Sequence, residues 1–299
     1  LAGFLGTRDV TVFPSGIAAF YGIIRALVRP GDQVLIDPAT GLRFRDSLQA
    51  AHACIVDFRQ DDPSDLDRKL QDLRSASPEA GILVVVDALP AHSARPAGIA
   101  LLAAACREHG ATLTLEVSRD LGALGPGGRG LAEQQGALDQ VDLFVGSLAH
   151  VFAGTGGFVA SNHPAAKTAL RTYPGPLAVS VGMPPLQAAA SVAALGVVDS
   201  LEGRTRRARL IGNALRLRQG LMSAGFEVPG EPGPVVPVRL PGGTDARAVT
   251  ARMIGAGEIV SLFDPGGGMA PVWPLHVMAD HREDEIDDFV RQARLARDG

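Results

Sequence analysis

Side chains that could form a covalent bond with a substrate are few in this sequence and lie far apart. The only lysines are Lys69 and Lys167, so almost all of the 28 basic side chains are arginines. Cys54 and Cys106 form no CxxC pair, and we predict that both pack as small apolar side chains of a reduced protein. The spacing of these residues therefore defines no catalytic centre.

Serines and histidines also lack a recognised catalytic or metal-binding spacing. Four serines could supply a hydroxyl nucleophile, but none lies in a GxSxG motif: Ser15, Ser118, Ser147 and Ser180. Four histidines show no ligand spacing with carboxylates or cysteines: His52, His92, His109 and His163. We therefore predict that the protein binds no metal ion.

The elements that would position a site alternate between helix and strand up to about residue 160. The continuous apolar run Ile82–Asp87 is typical of a strand buried on both faces of a parallel sheet. The pattern predicts further strands at 11–13, 33–36, 53–57, 112–117, 141–146 and 157–160, and helices at 16–28, 43–51, 64–74 (with Ser64 as N-cap) and 98–108. Such alternation predicts an α/β fold with a mainly parallel sheet flanked by helices.

The end of the chain has a different pattern. A long helical region is predicted over 184–218, kinked or broken near Gly203. Strands at 235–240 and 258–262, a helix at 246–254 between them and a closing helix at 282–296 complete the chain. We predict two domains, a large α/β domain over 1–200 and a smaller α+β domain over 201–299.

Composition and charge exclude several classes of protein. The balance of 46% hydrophobic and 20% charged residues is that of a globular chain rather than a disordered one. A formal charge of -4 gives no basic surface for nucleic acid. No apolar run reaches the roughly 18–20 residues of a membrane span, and we expect a cytoplasmic protein. Because the sequence starts at Leu1 inside a helical pattern, we expect a further N-terminal segment.

Four motifs, taken in their order along the chain, resemble the α-oxoamine synthases. They are FPSGIAAF at 13–20, GALGPGGRG at 122–130, GTGGF at 154–158 and VGMPP at 181–185. These acyltransferases of the fold type I pyridoxal-phosphate (PLP) superfamily include 8-amino-7-oxononanoate synthase, 2-amino-3-ketobutyrate ligase and serine palmitoyltransferase. The resemblance implies a fold type I architecture and a homodimer whose clefts lie between subunits.

The resemblance also places unexpected residues where the family binds its cofactor. His150 stands at the position of the lysine that carries PLP as an imine, which an imidazole cannot form. Glu116 and Arg119 stand where the family has the aspartate and histidine of its D-x-A-H motif. Gly41 replaces the ring-stacking histidine, and 272–274 replaces an arginine pair. These differences predict that PLP chemistry has been abandoned and that the protein uses no cofactor.

Two functions from different classes remain open. In the first, the protein transfers an acyl group from a CoA or carrier-protein thioester to an amine or hydroxyl without PLP. His150 would be the general base, Glu116 would orient it, and Arg119 would bind an anionic group or the developing oxyanion. The substrate would be held by the turn at Ser15, Gly16 and Ile17 and by three further polar side chains, Asp87, His92 and Ser118.

In the second, the protein is a non-catalytic partner of a lysine-bearing, PLP-dependent homologue. Val181 and Gly182 lack the hydroxyls that the family offers to its neighbour's phosphate, which favours an independent activity. Two structural interpretations also stay open. His150 could merely fill the space of the lysine, and Glu116 and Arg119 could form a buried ion pair.

Overall fold

The computed structural model describes residues 1–41, 44–172, 182–240, 244–264 and 269–299. The strands are β1 (Asp9–Phe13), β2 (Gln33–Ile36), β3 (Cys54–Asp57), β4 (Ile82–Asp87), β5 (Thr112–Glu116), β6 (Leu143–Ser147), β7 (Gly157–Ser161), β8 (Val235–Arg239) and β9 (Val272–His276). Within the described residues, the first seven strands form one sheet in the order β1-β7-β6-β5-β4-β2-β3. Strands β8 and β9 form a separate antiparallel pair.

The large sheet is mainly parallel, which confirms the predicted fold class. Strands β3, β2, β4, β5 and β6 run in one direction, while β7 is antiparallel to both of its neighbours, β6 and β1. All six residues of β4 are buried, as expected for a strand covered on both faces. In register, Asp87 pairs with Glu116, and Glu116 pairs with Val145. The carboxyl ends of the three central strands therefore meet at one edge.

Helices connect these strands. They are α1 (Ala2–Leu5), α2 (Gly16–Leu27), α3 (Pro38–Gly41), α4 (Arg45–Ala50), α5 (Pro63–Ala76), α6 (Ile99–Glu108), α7 (Leu131–Gln134), α8 (Pro164–Thr172), α9 (Pro185–Val198), α10 (Leu201–Ser223), α11 (Ala246–Gly255) and α12 (Glu283–Asp298). Helix α2 packs Phe20, Ile23 and Ile24 into the core under the sheet. None of the described helices is long and apolar enough to cross a membrane.

The chain divides into two compact units. One comprises Leu1–Ala88 with Ala97–Leu201, and the other comprises Leu89–Pro96 with Glu202–Gly299. Within the second unit, the amide of Glu231 donates to the carbonyl of Ala94 at 2.9 Å. A single boundary near residue 200 does not anticipate this grouping, because the segment after β4 contacts residues that are distant in sequence.

Two expectations about local structure are wrong, and a third is displaced by a few residues. The long helical region is broken, as predicted, but the break lies at 199–200: α9 ends at Val198, α10 begins at Leu201, and Gly203 lies buried inside α10. The Ser200 hydroxyl donates to the Val197 carbonyl and so closes the end of α9. Residues 258–262 form no strand, and β9 pairs with β8 instead.

The second error concerns the start of α5. Ser64 is not its N-cap: Asp62 caps the helix and Pro63 occupies the first helical position. The Asp62 side chain accepts the amide of Asp65 at 3.2 Å. Proline is favoured at this position because its fixed φ matches a helix and its missing N–H would have no partner there.

Candidate functional site

Two carboxylates lie side by side where the central strands end. Asp87 is the last residue of β4, and Glu116 is the last residue of β5. Their pairing in register places both at the carboxyl edge of the sheet, and both are almost completely buried. In open α/β folds, this edge is where ligands bind.

Arg119 forms ion pairs with both carboxylates, and Ser118 donates hydrogen bonds to Glu116. Arg119 Nη1 lies 3.1 Å from Asp87 Oδ2 and 3.7 Å from Glu116 Oε2. Glu116 Oε1 accepts the amide of Ser118 at 3.1 Å and also its hydroxyl. The Ser118 Oγ in turn accepts the amide of Ser147 at 2.8 Å. The structure therefore brings together four of the predicted site residues and links them to the end of β6.

Gln60 positions Asp87 and was not predicted from the sequence. Its side-chain amide donates to the Asp87 carbonyl at 2.9 Å, while its oxygen accepts the Asp87 amide at 3.1 Å. Gln60 is buried and thus satisfies the backbone where β4 ends. No pattern in the sequence marks a glutamine after β3 for this role, because its partner lies 27 residues away.

Asp120 is a second buried group that the sequence did not reveal. It is completely buried, and its Oδ2 accepts the Leu131 amide at 2.7 Å. Burial raises the pKa of Asp120 to about 8 against the opposing effect of the Leu131 amide, and the charges of Glu116 and Asp87 add to the rise. The carboxyl group is therefore largely protonated at neutral pH.

A cradle of backbone and small side chains lies at the start of α2. Ser15 caps this 12-residue helix by accepting the amide of Ala18 at 3.1 Å. A Cβ on Gly16 would lie 2.8 Å from the Cβ of Ser147, and a Cβ on Gly157 would lie 2.3 Å from the Ser15 carbonyl oxygen. These close approaches require glycine at both positions. The helix N-terminus, Ser147 and β7 thus pack closely against one another in this cradle, and the helix N-terminus is suited to an anion.

His150 lies in the turn between β6 and β7 and is exposed. The turn is closed by two backbone bonds, from the Leu148 amide to the Gly156 carbonyl at 2.9 Å and from the Gly154 amide to the Leu148 carbonyl at 3.1 Å. Ala153 adopts a φ of 46°, in the left-handed region that non-glycine residues rarely occupy. His150 therefore belongs to a strained turn next to the cradle.

The remaining predicted residues are distributed as follows. Ile17 is largely exposed in the first turn of α2, and His92 lies in the Leu89–Pro96 segment of the second unit. Ser180 and Val181 lie outside the described residues. Trp273, in the segment expected to replace the arginine pair, is a core residue of the second unit whose Nε1 donates to Thr250 Oγ1 at 2.8 Å.

The cysteines and lysines lie in other surroundings. Cys54 and Cys106 are not in a disulfide; Cys106 is buried as predicted, whereas Cys54 is exposed. Burial raises the pKa of the Cys106 thiol to about 12. The Lys69 ammonium donates to the Asp57 carbonyl and lies 3.6 Å from Asp65. Lys167 forms an ion pair with Asp9.

Comparison with known proteins identifies the family of this chain. Residues 1–263 match the family model described as aminotransferase class I and II. The chain is 32% identical to a serine palmitoyltransferase of Caulobacter vibrioides over 293 residues, covering 97% of this chain and 71% of the relative. It is 33% identical to an 8-amino-7-oxononanoate synthase of Geobacter metallireducens, with 96% and 73% covered. The structure of Sphingomonas wittichii serine palmitoyltransferase superposes with a TM-score of 0.89 at 26% identity, covering 99% of this chain and 73% of that one.

The fold and these matches define a fold type I protein of the PLP superfamily. The chain belongs to the aminotransferase class I and II family and, within it, to the α-oxoamine synthases. The prediction that the protein uses no cofactor is wrong for this family. A serine palmitoyltransferase structure that superposes with a TM-score of 0.88 at 28% identity, covering 99% of this chain and 74% of that one, contains PLP as an internal aldimine.

The residues of this chain fit PLP in two respects. The start of α2, with Ser147 beside it, fits a phosphate group, because the first amides of the helix have no carbonyl partner within the helix and its dipole favours an anion. The buried carboxylate of Glu116 fits a protonated ring nitrogen. The amines of Lys69 and Lys167 are engaged by Asp57, Asp65 and Asp9, so neither contributes to this fit.

Proposed function

We propose that the protein is an acyltransferase of the α-oxoamine synthase type that takes its acyl group from a CoA or carrier-protein thioester and uses bound PLP. The observation that carries the proposal is the buried Glu116 carboxylate, fixed by Ser118 and joined through it to Ser147 at the cradle. When bound, PLP supplies an electron sink for negative charge at the carbon next to an amino group.

The cradle would hold the phosphate without a cation from a side chain. The first amides of α2, at Gly16 and Ile17, have no carbonyl partner within the helix, and the helix dipole adds partial positive charge there. The Ser147 hydroxyl is a further donor beside them. Ser15, Gly16 and Ile17, which the sequence assigns to substrate binding, would thus bind the phosphate group of PLP.

Glu116 would hold the ring nitrogen in its protonated form. The carboxylate accepts the amide and the hydroxyl of Ser118, and Arg119 lies 3.7 Å from it. Arg119 is itself oriented by Asp87 at 3.1 Å. The guanidinium would therefore stabilise the carboxylate pair and meet any anionic group of the substrate that enters beside it.

His150 would move the proton. In acyl transfer the acceptor must lose a proton as it attacks the thioester carbonyl, and the departing thiolate must gain one. An imidazole suits both steps because it titrates near neutral pH. His150 lies in the turn that follows Ser147, and we expect its imidazole to reach the cradle and Glu116 to support its charged form.

We propose that the protein forms a homodimer through α9. The helix carries no charged residue, and Val198 is its only buried residue among those described. Leu186 and Val192 are 79% and 69% exposed. An apolar helix face of this kind is typical of an interface, and we propose that a second copy of the chain covers it.

The first experiment tests the cofactor. Protein incubated with PLP should bind it reversibly, so that the PLP is lost on gel filtration. We expect binding because the cradle holds the phosphate, and we expect it to be non-covalent because both lysine amines are engaged elsewhere. Borohydride reduction followed by peptide mass spectrometry should leave Lys69 and Lys167 unmodified. A pyridoxyl group on either lysine would contradict this mode of binding.

The second experiment tests the activity. Acyl-CoA and acyl-carrier donors are offered with amino acids as acceptors in the presence of PLP. His150→Gln should lower the rate roughly 10²–10⁴-fold, as expected for loss of a general base. His163→Gln, which changes an exposed histidine in the same unit, should not lower it. Activity that appears only when a lysine-bearing homologue is added would instead support the partner-subunit function.

A further inference from the structure

The turn that carries His150 rests against one face of α9. The Thr155 amide donates to Gln187 Oε1 at 3.2 Å. A Cβ on Gly154 would lie 2.9 Å from Ser191 Oγ and 3.7 Å from Gln187 Oε1. Because Gln187 and Ser191 are four residues apart, they lie on the same face of the helix. The turn is thus fixed at two adjacent positions by one helix face.

This turn needs support from outside itself. Ala153 at a φ of 46° and Gly156 at a φ of 119° both occupy backbone conformations that ordinary side chains avoid. Strained conformations of this kind persist only where the surrounding structure holds them. The bond from Thr155 to Gln187 spans 32 residues and joins the turn to a regular helix.

The second contact acts by shape rather than by hydrogen bonding. Ser191 Oγ is buried and makes no hydrogen bond within the described residues. Its position directly over Gly154 leaves no room for a side chain there. Ser191 therefore sets how closely the turn approaches α9, while Gln187 supplies the directional bond.

We propose that Gln187 is a positioning residue for His150, which acts by accepting the Thr155 amide and so fixing the strained turn on α9. The functional meaning of this role rests on the proposed function of His150. The structural claim does not depend on that function, because it concerns only the position of the imidazole.

Two substitutions of equal length separate the hydrogen bond from packing. Gln187→Glu keeps an accepting oxygen at the same reach, whereas Gln187→Met keeps the length and removes the acceptor. Gln71→Met, on the exposed surface of α5, is the matched control. The measurement is NMR of the histidine ring protons in the free protein, with the His150 signal identified by its absence in His150→Gln.

We expect Gln187→Met to shift the His150 ring signals and its titration midpoint, while Gln187→Glu and Gln71→Met leave both near those of the wild type. Where acyl transfer is measurable, Gln187→Met should lower kcat roughly three- to tenfold, the factor that corresponds to one hydrogen bond, with little change in KM. Identical spectra for the Met and Glu variants would overturn the proposal. A shifted His150 signal with unchanged catalysis would overturn the proposed function of His150 and leave the positioning role intact.

A pair of compensating substitutions, at Gly154 and Ser191, tests whether packing against the same face of α9 fixes the turn. Gly154→Ala should move the turn away from Ser191 and shift the His150 signals, and Ser191→Ala alone should change them little. The double variant should return the signals toward the wild type, because the Oγ that the new methyl group meets is gone. Failure of Ser191→Ala to restore them would show that this face does not hold the turn.

Discussion

At the scale of single residues, one guanidinium balances two buried carboxylates. Arg119 lies within 4 Å of both Asp87 and Glu116, and all three side chains are nearly excluded from water. Removing one partner from a buried ion pair leaves an uncompensated charge in a medium that solvates it poorly. Arg119 should therefore be much more sensitive to substitution than an arginine in a surface ion pair.

We expect Arg119→Met to lower the free energy of unfolding by about 3–5 kcal/mol, because both carboxylates lose their cation. Urea denaturation of the purified protein measures this loss. Arg282→Met, which removes an exposed pair with Asp284, should leave the unfolding midpoint nearly unchanged. Equal losses in the two variants would contradict the interpretation of Arg119.

Asp120 should make stability depend on pH. Burial raises its pKa from 3.8 to about 8 in the folded protein, so the folded state binds a proton that the unfolded state releases. Its contribution is therefore fully present below about pH 4 and is lost as the pH rises through 8. Asp120→Asn cannot ionise and should remove this part of the pH dependence.

The measurement is urea unfolding at several pH values between 5 and 9. Asp139→Asn, at an exposed position in the same part of the chain, is the control and should keep the slope of the wild type. If Asp120→Asn and the wild type lose stability in parallel as the pH rises, Asp120 is not the group responsible.

At the scale of elements, the cradle depends on the close approach of α2 and β7. Gly157→Ala would place a Cβ 2.3 Å from the Ser15 carbonyl oxygen and 2.6 Å from the Gly16 Cα, where only backbone can yield. We expect it to lower the free energy of unfolding by roughly 1–3 kcal/mol and to weaken binding of inorganic phosphate. Calorimetry with phosphate and urea denaturation measure the two effects.

The same substitution elsewhere provides the control. Gly212 lies inside α10 with open space around its Cα. Gly212→Ala should raise stability by up to about 1 kcal/mol, because alanine favours a helix over glycine. A loss of phosphate binding in Gly212→Ala would show that the assay reports general damage rather than the cradle.

Elements defined by local pattern could be predicted, whereas those defined by distant contacts could not. Gln33–Ile36 and Ile82–Asp87 were predicted to the residue, because each is a strand of mostly apolar residues. β9 was missed, and Pro274 inside it argues against a strand, although β9 lies in a two-stranded sheet with β8 and tolerates the proline there. Local signals also misplaced the helix break, because Gly203 is compatible with the helix that contains it.

The residues of the candidate site also divide into those that could be predicted from the sequence and those that could not. Glu116 and Arg119 could be located because a family resemblance marks their positions in the chain. Gln60 and Asp120 could not, since the role of each depends on burial and on backbone partners 27 and 11 residues away. Neither the burial of a glutamine nor the protonation of an aspartate produces a periodic pattern in the sequence.

At the scale of the whole molecule, α9 should mediate assembly. Leu186→Glu places a charge on its most exposed apolar position and should shift a homodimer toward monomer. Light scattering at tens of micromolar measures the mass. Leu101→Glu, at a similarly exposed leucine of α6, is the control and should leave the mass unchanged. A wild-type monomer at this concentration would contradict the proposed homodimer.

The path of the chain through its two units has a consequence for synthesis on the ribosome. Residues 89–96 are made early but pack with a unit that is otherwise built from residue 202 onward. Ala94 and its partner Glu231 are 137 residues apart, a gap that the ribosome needs on the order of ten seconds to cross. During that time the segment has no unit to join, and a fragment that ends at residue 201 never provides one. Fragments that include 89–96 without the C-terminal unit should therefore be more easily cut by proteases in this segment than the full chain.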